Sequence, residues 1–114
     1  MTSKKTLLID LDGVLNEYSG NYQENYIPPM REGVESFLET LSKDFELKLF
    51  TTRSQKLAQD WTEKNEIEHF FSEITNYKSP AWLQLDDRCL TFNGDYADTI
   101  TQIKSFTPWY KQSS

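Results

Sequence analysis

The sequence predicts an α/β fold: a single doubly wound, mostly parallel Rossmann-like sheet with helices on both faces and no cap domain. Three observations carry that expectation. Apolar runs of strand length alternate with segments whose apolar residues recur at helical spacing. The first run is nearly continuous, as in a strand covered on both faces. Strands separated by helical segments pair in parallel through right-handed crossovers. The 114 residues suit one domain at about 100–200 residues each, so residues 1–114 are read as one unit. A domain of this size buries roughly two-thirds of its unfolded surface.

The elements follow in order. Thr6-Leu7-Leu8-Ile9 is a buried strand ending at Asp10. The chain from Gly13 onward is irregular and closes at Pro28-Pro29. Val34, Phe37, Leu38 and Leu41 fall at i, i+3, i+4 and i+7, one stripe of a helix. Phe45 to Phe50 alternates and reads as a second strand, arriving at Thr51-Thr52-Arg53. Ser54 can cap a helix carrying Leu57, Ala58 and Trp61 that frays near Asn65. Between Ile67 and Tyr77 the pattern suggests a turn at Phe70-Phe71 and a short strand around Ile74. Ala81 to Leu85 is a fourth apolar run, ending at Asp86-Asp87, and Cys89 to Phe92 extends it or adds a strand. Asn93-Gly94 signals a turn. Ile100, Ile103 and Phe106 have near-helical spacing, and Pro108 stops that element.

Composition excludes several classes. With 37% apolar, 14% aromatic and 26% charged residues, the chain can form a core and is not a disordered segment. Eighteen acidic against twelve basic groups give a net charge of −6, which lacks the electrostatic footprint of a general nucleic-acid or anionic-membrane binder. Cys89 is the only cysteine, so neither an intrachain disulfide nor a multi-thiolate zinc site fits. The apolar run at Leu7 to Ile9 is too short for a signal peptide or a membrane span. The expected compartment is a reducing cytoplasm.

Open α/β sheets bind ligands beyond the carboxyl ends of their strands. Read in order, those ends offer Asp10 with Asp12, then Thr51, then Lys78, then Asp86 with Asp87. Crowded carboxylates repel, and their pKa values rise unless a cation sits among them. Hard oxygen donors without nearby histidine or cysteine suit Mg²⁺. In Asp10-Leu11-Asp12 both carboxylates point the same way, because side chains of an extended chain alternate with period two. One can attack phosphorus while the other handles a proton, and Gly13 lets the backbone turn sharply behind them.

These residues carry a resemblance. Leu7 to Leu15, reading LLIDLDGVL, resembles the first motif of the haloacid dehalogenase-like superfamily of phosphohydrolases. Leu49-Phe50-Thr51-Thr52 is similar to its second motif, Lys78 to its third-motif lysine, and Leu83-Gln84-Leu85-Asp86-Asp87 to its fourth. All four occur in the family's order across residues 7–87. The resemblance implies Asp10 as nucleophile and metal ligand, and Asp12 as general acid/base with its backbone carbonyl on the metal. It further implies that Thr51 binds the phosphoryl group, that Lys78 neutralises it and holds Asp10, and that Asp86 and Asp87 hold Mg²⁺ directly or through water. Gly13, Thr52 and Arg53 complete the expected substrate-binding set. A signalling receiver domain uses similar residue types, but it needs its acceptor aspartate at the end of a middle strand, where this chain has Thr51.

The resemblance extends to relatives that pass the phosphoryl group to a second substrate, and those usually carry a helical cap domain. Only about fifteen residues separate Gly13 from Pro28, and the stretch from Thr51 to Lys78 is occupied by a helix and its connectors, too little for a folded cap. The expected function is therefore Mg²⁺-dependent hydrolysis of a small phosphorylated metabolite through an aspartyl-phosphate. A nucleic-acid partner is disfavoured, no membrane association is expected, and a homo-oligomer could close the open site. The alternatives are action on a macromolecular phosphate (a nucleic-acid end or a phosphoprotein) and a non-catalytic binding module. Arg53 and Arg88, just past strand ends, suit either substrate contact or salt bridging. Cys89 reads as a small buried residue, His69 as structural, and Tyr18, Tyr22 and Tyr26 as loop packing.

Overall fold

The computed structural model describes residues 4–111. Strand β1 (Lys5–Asp10) leads through a long loop into helix α1 (Val34–Ser42), followed by strand β2 (Phe45–Phe50) and helix α2 (Gln55–Lys64). A 3₁₀ turn (Glu68–Phe70) precedes strand β3 (Phe71–Thr75), and strand β4 (Leu83–Leu85), helix α3 (Tyr96–Ser105) and a second 3₁₀ turn (Trp109–Lys111) complete the chain. The four strands form one sheet in the order β3-β2-β1-β4, and every pairing is parallel. The fold is α/β without a cap. Among the described residues, no helix is long and apolar enough to cross a membrane.

The larger part of the core lies on one face of the sheet. Register pairs Leu7 with Leu47 and Ile9 with Leu49, so period-two alternation stacks these four side chains on the same side. Val34 and Leu38 of α1, Ala58 and Trp61 of α2, and Ile67 pack against them. Each fully buried Leu or Ile contributes about 1.5–3 kcal/mol relative to an exposed one. Helix α2 starts where Ser54 Oγ accepts the Leu57 N–H. Trp61 ties it to the β1–α1 loop by donating Nε1–H to the Pro28 carbonyl at 3.2 Å.

Both α1 and α2 share the one core, and the opposite face carries Lys48 paired with Glu73 at 3.3 Å and Ser72 donating to Glu46 at 2.8 Å. Leu8, paired with Lys48 across β1 and β2, is buried on that same face. Helix α3 has the expected helical spacing and a capping Asp95, yet none of its residues is buried, and Tyr96, Ile100 and Ile103 are exposed. The segment Cys89 to Phe92 forms no strand. Cys89 is accordingly exposed rather than buried, because without a ladder that segment has no reason to face the core. The run from Ala81 shortens to a three-residue strand, with Trp82 stacked on Phe45 at 5.7 Å instead.

Candidate active site

Parallel register assembles the site. Pairing Ile9 with Leu85 places Asp86 next to Asp10 across β1 and β4, while pairing Asp10 with Phe50 places Thr51 beside them on β2. The carboxylates of Asp10, Asp86 and Asp87 each bring an oxygen within 4.8 Å of the others. Burial is the largest cause that pushes the Asp10 carboxyl up to about 8, followed by the Asp86 charge, a hydrogen bond to Asp87, and the Asp87 and Asp12 charges. Burial also raises Asp87, while a hydrogen bond from Tyr110 pulls it the other way. Without a counter-charge Asp10 favours its protonated form. The cluster's all-oxygen donor set therefore fits a hard divalent cation.

Asp12 is held apart from that cluster. Its carboxylate accepts Arg53 Nε–H at 2.8 Å and Asn16 Nδ2–H at 3.0 Å, and Asp12 is not a member of the cluster formed by Asp10, Asp86 and Asp87. Arg53, whose side chain is 0% exposed, also donates Nη1–H to the Gln23 carbonyl at 2.8 Å and lies 4.6 Å from the Tyr22 ring. This arginine makes a buried salt bridge and binds the loop. Its Nη2 is buried and has no hydrogen-bond partner among the described residues.

Thr51 is buried. Its Oγ1 accepts the Arg53 N–H at 3.1 Å, which keeps the hydroxyl proton directed elsewhere, and Asn76 Nδ2 ties the Thr51 and Arg53 carbonyls at 2.7 and 2.8 Å. Thr52 is exposed at the same turn. Lys78 is exposed too, with Nζ 5.8 Å from the Phe50 ring. Among the described residues no ion pair joins it to Asp10.

Gly13 has φ 81° and would press an added Cβ to 2.4 Å from Asp87 Oδ2 and 2.9 Å from Asp87 Cβ. Both the left-handed backbone and the close approach demand glycine. Gly13→Ala is expected to displace Asp87 and to weaken Mg²⁺ binding at least about tenfold, as when the support of a metal ligand is lost. The Mg²⁺ concentration at half-maximal thermal stabilisation measures this, and an unchanged midpoint would refute it.

Four contributors escaped the sequence reading. Asn16, fully buried, accepts the Gly13 and Tyr18 N–H groups through Oδ1 at 3.2 and 3.0 Å while donating to Asp12. Asn76 closes the Thr51 turn. Trp109 donates Nε1–H to the Gly13 carbonyl at 2.8 Å, and Tyr110 donates its hydroxyl to Asp87 Oδ2 at 2.8 Å. Only Asn16 left a local signal, an amide four residues after Asp12 in a tight turn. A cleft of about 360 Å³ opens beside these groups, with Val14, Phe37, Leu85, Asp87 and Trp109 in its wall.

A family model described as NLI interacting factor-like phosphatase matches residues 5–105 of the chain. No curated protein gives a significant match, nor does any solved structure.

Proposed function

This chain belongs to the NLI interacting factor-like phosphatase family, within the haloacid dehalogenase-like superfamily, and from that premise we propose that it is a Mg²⁺-dependent phosphomonoesterase acting on small phosphorylated metabolites. The observation that carries the reading is the convergence of Asp10, Asp86 and Asp87 beside a separately anchored Asp12. Asp10, Asp86 and Asp87 would hold the cation, with the Asp12 backbone carbonyl as a further ligand. The cation would neutralise charge on the transferring phosphoryl oxygens and keep Asp10 ionised.

The chain's own groups then divide the work. The Asp10 carboxylate attacks phosphorus, the bond to the leaving oxygen breaks, and Asp12 delivers a proton to that oxygen. Water next attacks the aspartyl-phosphate, Asp12 takes its proton, and inorganic phosphate leaves with Asp10 restored. The Thr51 hydroxyl donates to a phosphoryl oxygen, and Lys78 reaches in from the rim as a mobile positive charge. Arg53 and Asn16 keep Asp12 in one orientation through both proton transfers, which is where positioning lowers the barrier. Thr52 and the Gly13 backbone border the phosphoryl position.

The substrate class is supported by charge. A net −6 repels long polyanions, and the site is bordered by a cleft of metabolite size. The test is a phosphatase screen over sugar phosphates, nucleotides, phosphopeptides and phosphorylated nucleic-acid ends, each with Mg²⁺ and with EDTA. Hydrolysis of small phosphates that EDTA abolishes is expected. Turnover surviving exhaustive chelation would overturn the metal role. A macromolecular phosphate favoured in kcat/KM over every small one would overturn the substrate class.

A further inference from the structure

We propose that Tyr110 is a positioning residue of the cation site, holding Asp87 in the one orientation that lets it complete the trio with Asp10 and Asp86. The proposal rests on reading those carboxylates as Mg²⁺ ligands. The Tyr110 hydroxyl donates to Asp87 Oδ2 at 2.8 Å, and that same oxygen is the atom closest to the space over Gly13. One Asp87 oxygen is thus pinned between a phenol and a glycine. The carboxylate plane is fixed accordingly.

The phenol is itself held on several sides. Trp109, its neighbour in the C-terminal 3₁₀ turn, donates to the Gly13 carbonyl at 2.8 Å, and the Arg31 guanidinium lies 4.6 Å from the Trp109 ring centroid. The Tyr18 ring meets Tyr110 edge-on at 5.7 Å. Arg88 Nε and Nη2 approach the Tyr110 oxygen at 3.4 Å each, long contacts that place a positive charge behind the donor. A phenol needed only for packing would not require its hydroxyl aimed at a crowded carboxylate. Crowded carboxylates drive one another apart when ionised, and a fixed donor on Asp87 opposes that separation. Groups that orient metal ligands in this way typically affect metal affinity 10–100-fold.

The test uses the full chain and Mg²⁺ alone as probe. In Tyr110→Phe the Mg²⁺ concentration at half-maximal thermal stabilisation should rise about tenfold or more. At saturating Mg²⁺, kcat for an aryl phosphate should stay within roughly threefold of wild type, since the hydroxyl touches no reacting atom. Trp109→Phe, which removes the bond to Gly13 and keeps the phenol, should move the Mg²⁺ midpoint less. If Tyr110→Phe melts far below wild type in EDTA, the Mg²⁺ midpoint is read from the shifts above that lower baseline, and a wild-type midpoint there still counts against the proposal. A wild-type midpoint in Tyr110→Phe alongside a lost response in Asp87→Asn overturns the positioning role alone. A wild-type midpoint in Asp87→Asn as well overturns the cation reading, and the positioning role with it.

Discussion

Asp10→Asn is expected to abolish turnover while raising the melting temperature of the metal-free protein. The amide has no nucleophilic oxygen anion, so no aspartyl-phosphate forms, and a loss on the order of 10⁴-fold or more follows, as for other covalent nucleophiles. The same change removes one member of a crowded acidic trio. Its folded carboxyl lies near 8 against an ordinary value of 3.8, so between those values the folded state binds more protons than the unfolded one. Stability is then fully present below the unfolded value and is lost as pH rises towards the folded one. Metal-free wild type should melt lower at about pH 8 than at about pH 5, and Asp10→Asn should flatten that slope. A rise of roughly 4–8 °C for the variant at the higher pH corresponds to about 1 kcal/mol in a domain of this size. Melting curves in EDTA and phosphoenzyme trapping supply the measurements. A phosphoryl group trapped on any other residue would refute the role of Asp10, and an equal pH slope in the variant would refute the charge crowding.

Arg53→Met should cost the fold about 3–5 kcal/mol, because it leaves the Asp12 carboxylate without its cation in a largely enclosed site. The loss is not electrostatic alone. Arg53 spans from Asp12 to the Gln23 carbonyl, so its removal also frees the loop that follows β1 and lets Asp12 swing away from the leaving group. Arg53→Lys should give a smaller loss, since one ammonium cannot satisfy both partners as a planar fork does. Urea unfolding and kcat/KM on the same preparations check this. An Arg53→Met protein within about 1 kcal/mol of wild type would show that the ion pair holds nothing together.

How far the site was legible depends on how local its determinants are. Strands β1 and β2 announce themselves by apolar runs that end at polar residues, and the parallel class follows from the helices between them. Once β1 and β4 are parallel neighbours, the acidic pairs that end each strand have to meet. Asp10, Asp86 and Asp87 could thus be brought together on sequence alone. Layering was harder to read. The alternation in β2 and β3 is mixed with charges such as Lys48 and Glu73, and only the assembled sheet reveals that they pair with one another across the two strands.

The sequence by itself determined the α/β class, the parallel strands and the acidic strand ends, because period and spacing are properties of the chain before it folds. Tertiary structure alone decided which groups serve those carboxylates. Arg53 reaches Asp12 across 41 positions, and Trp109 reaches Gly13 across 96. Lys78 places its Nζ 5.8 Å from the Phe50 ring, and the Cys89 segment faces solvent. Each of these outcomes depends on where an irregular loop or a C-terminal turn comes to rest. A loop's path is set by the distant donors and acceptors that satisfy its backbone, and no periodicity in the chain records where those partners lie.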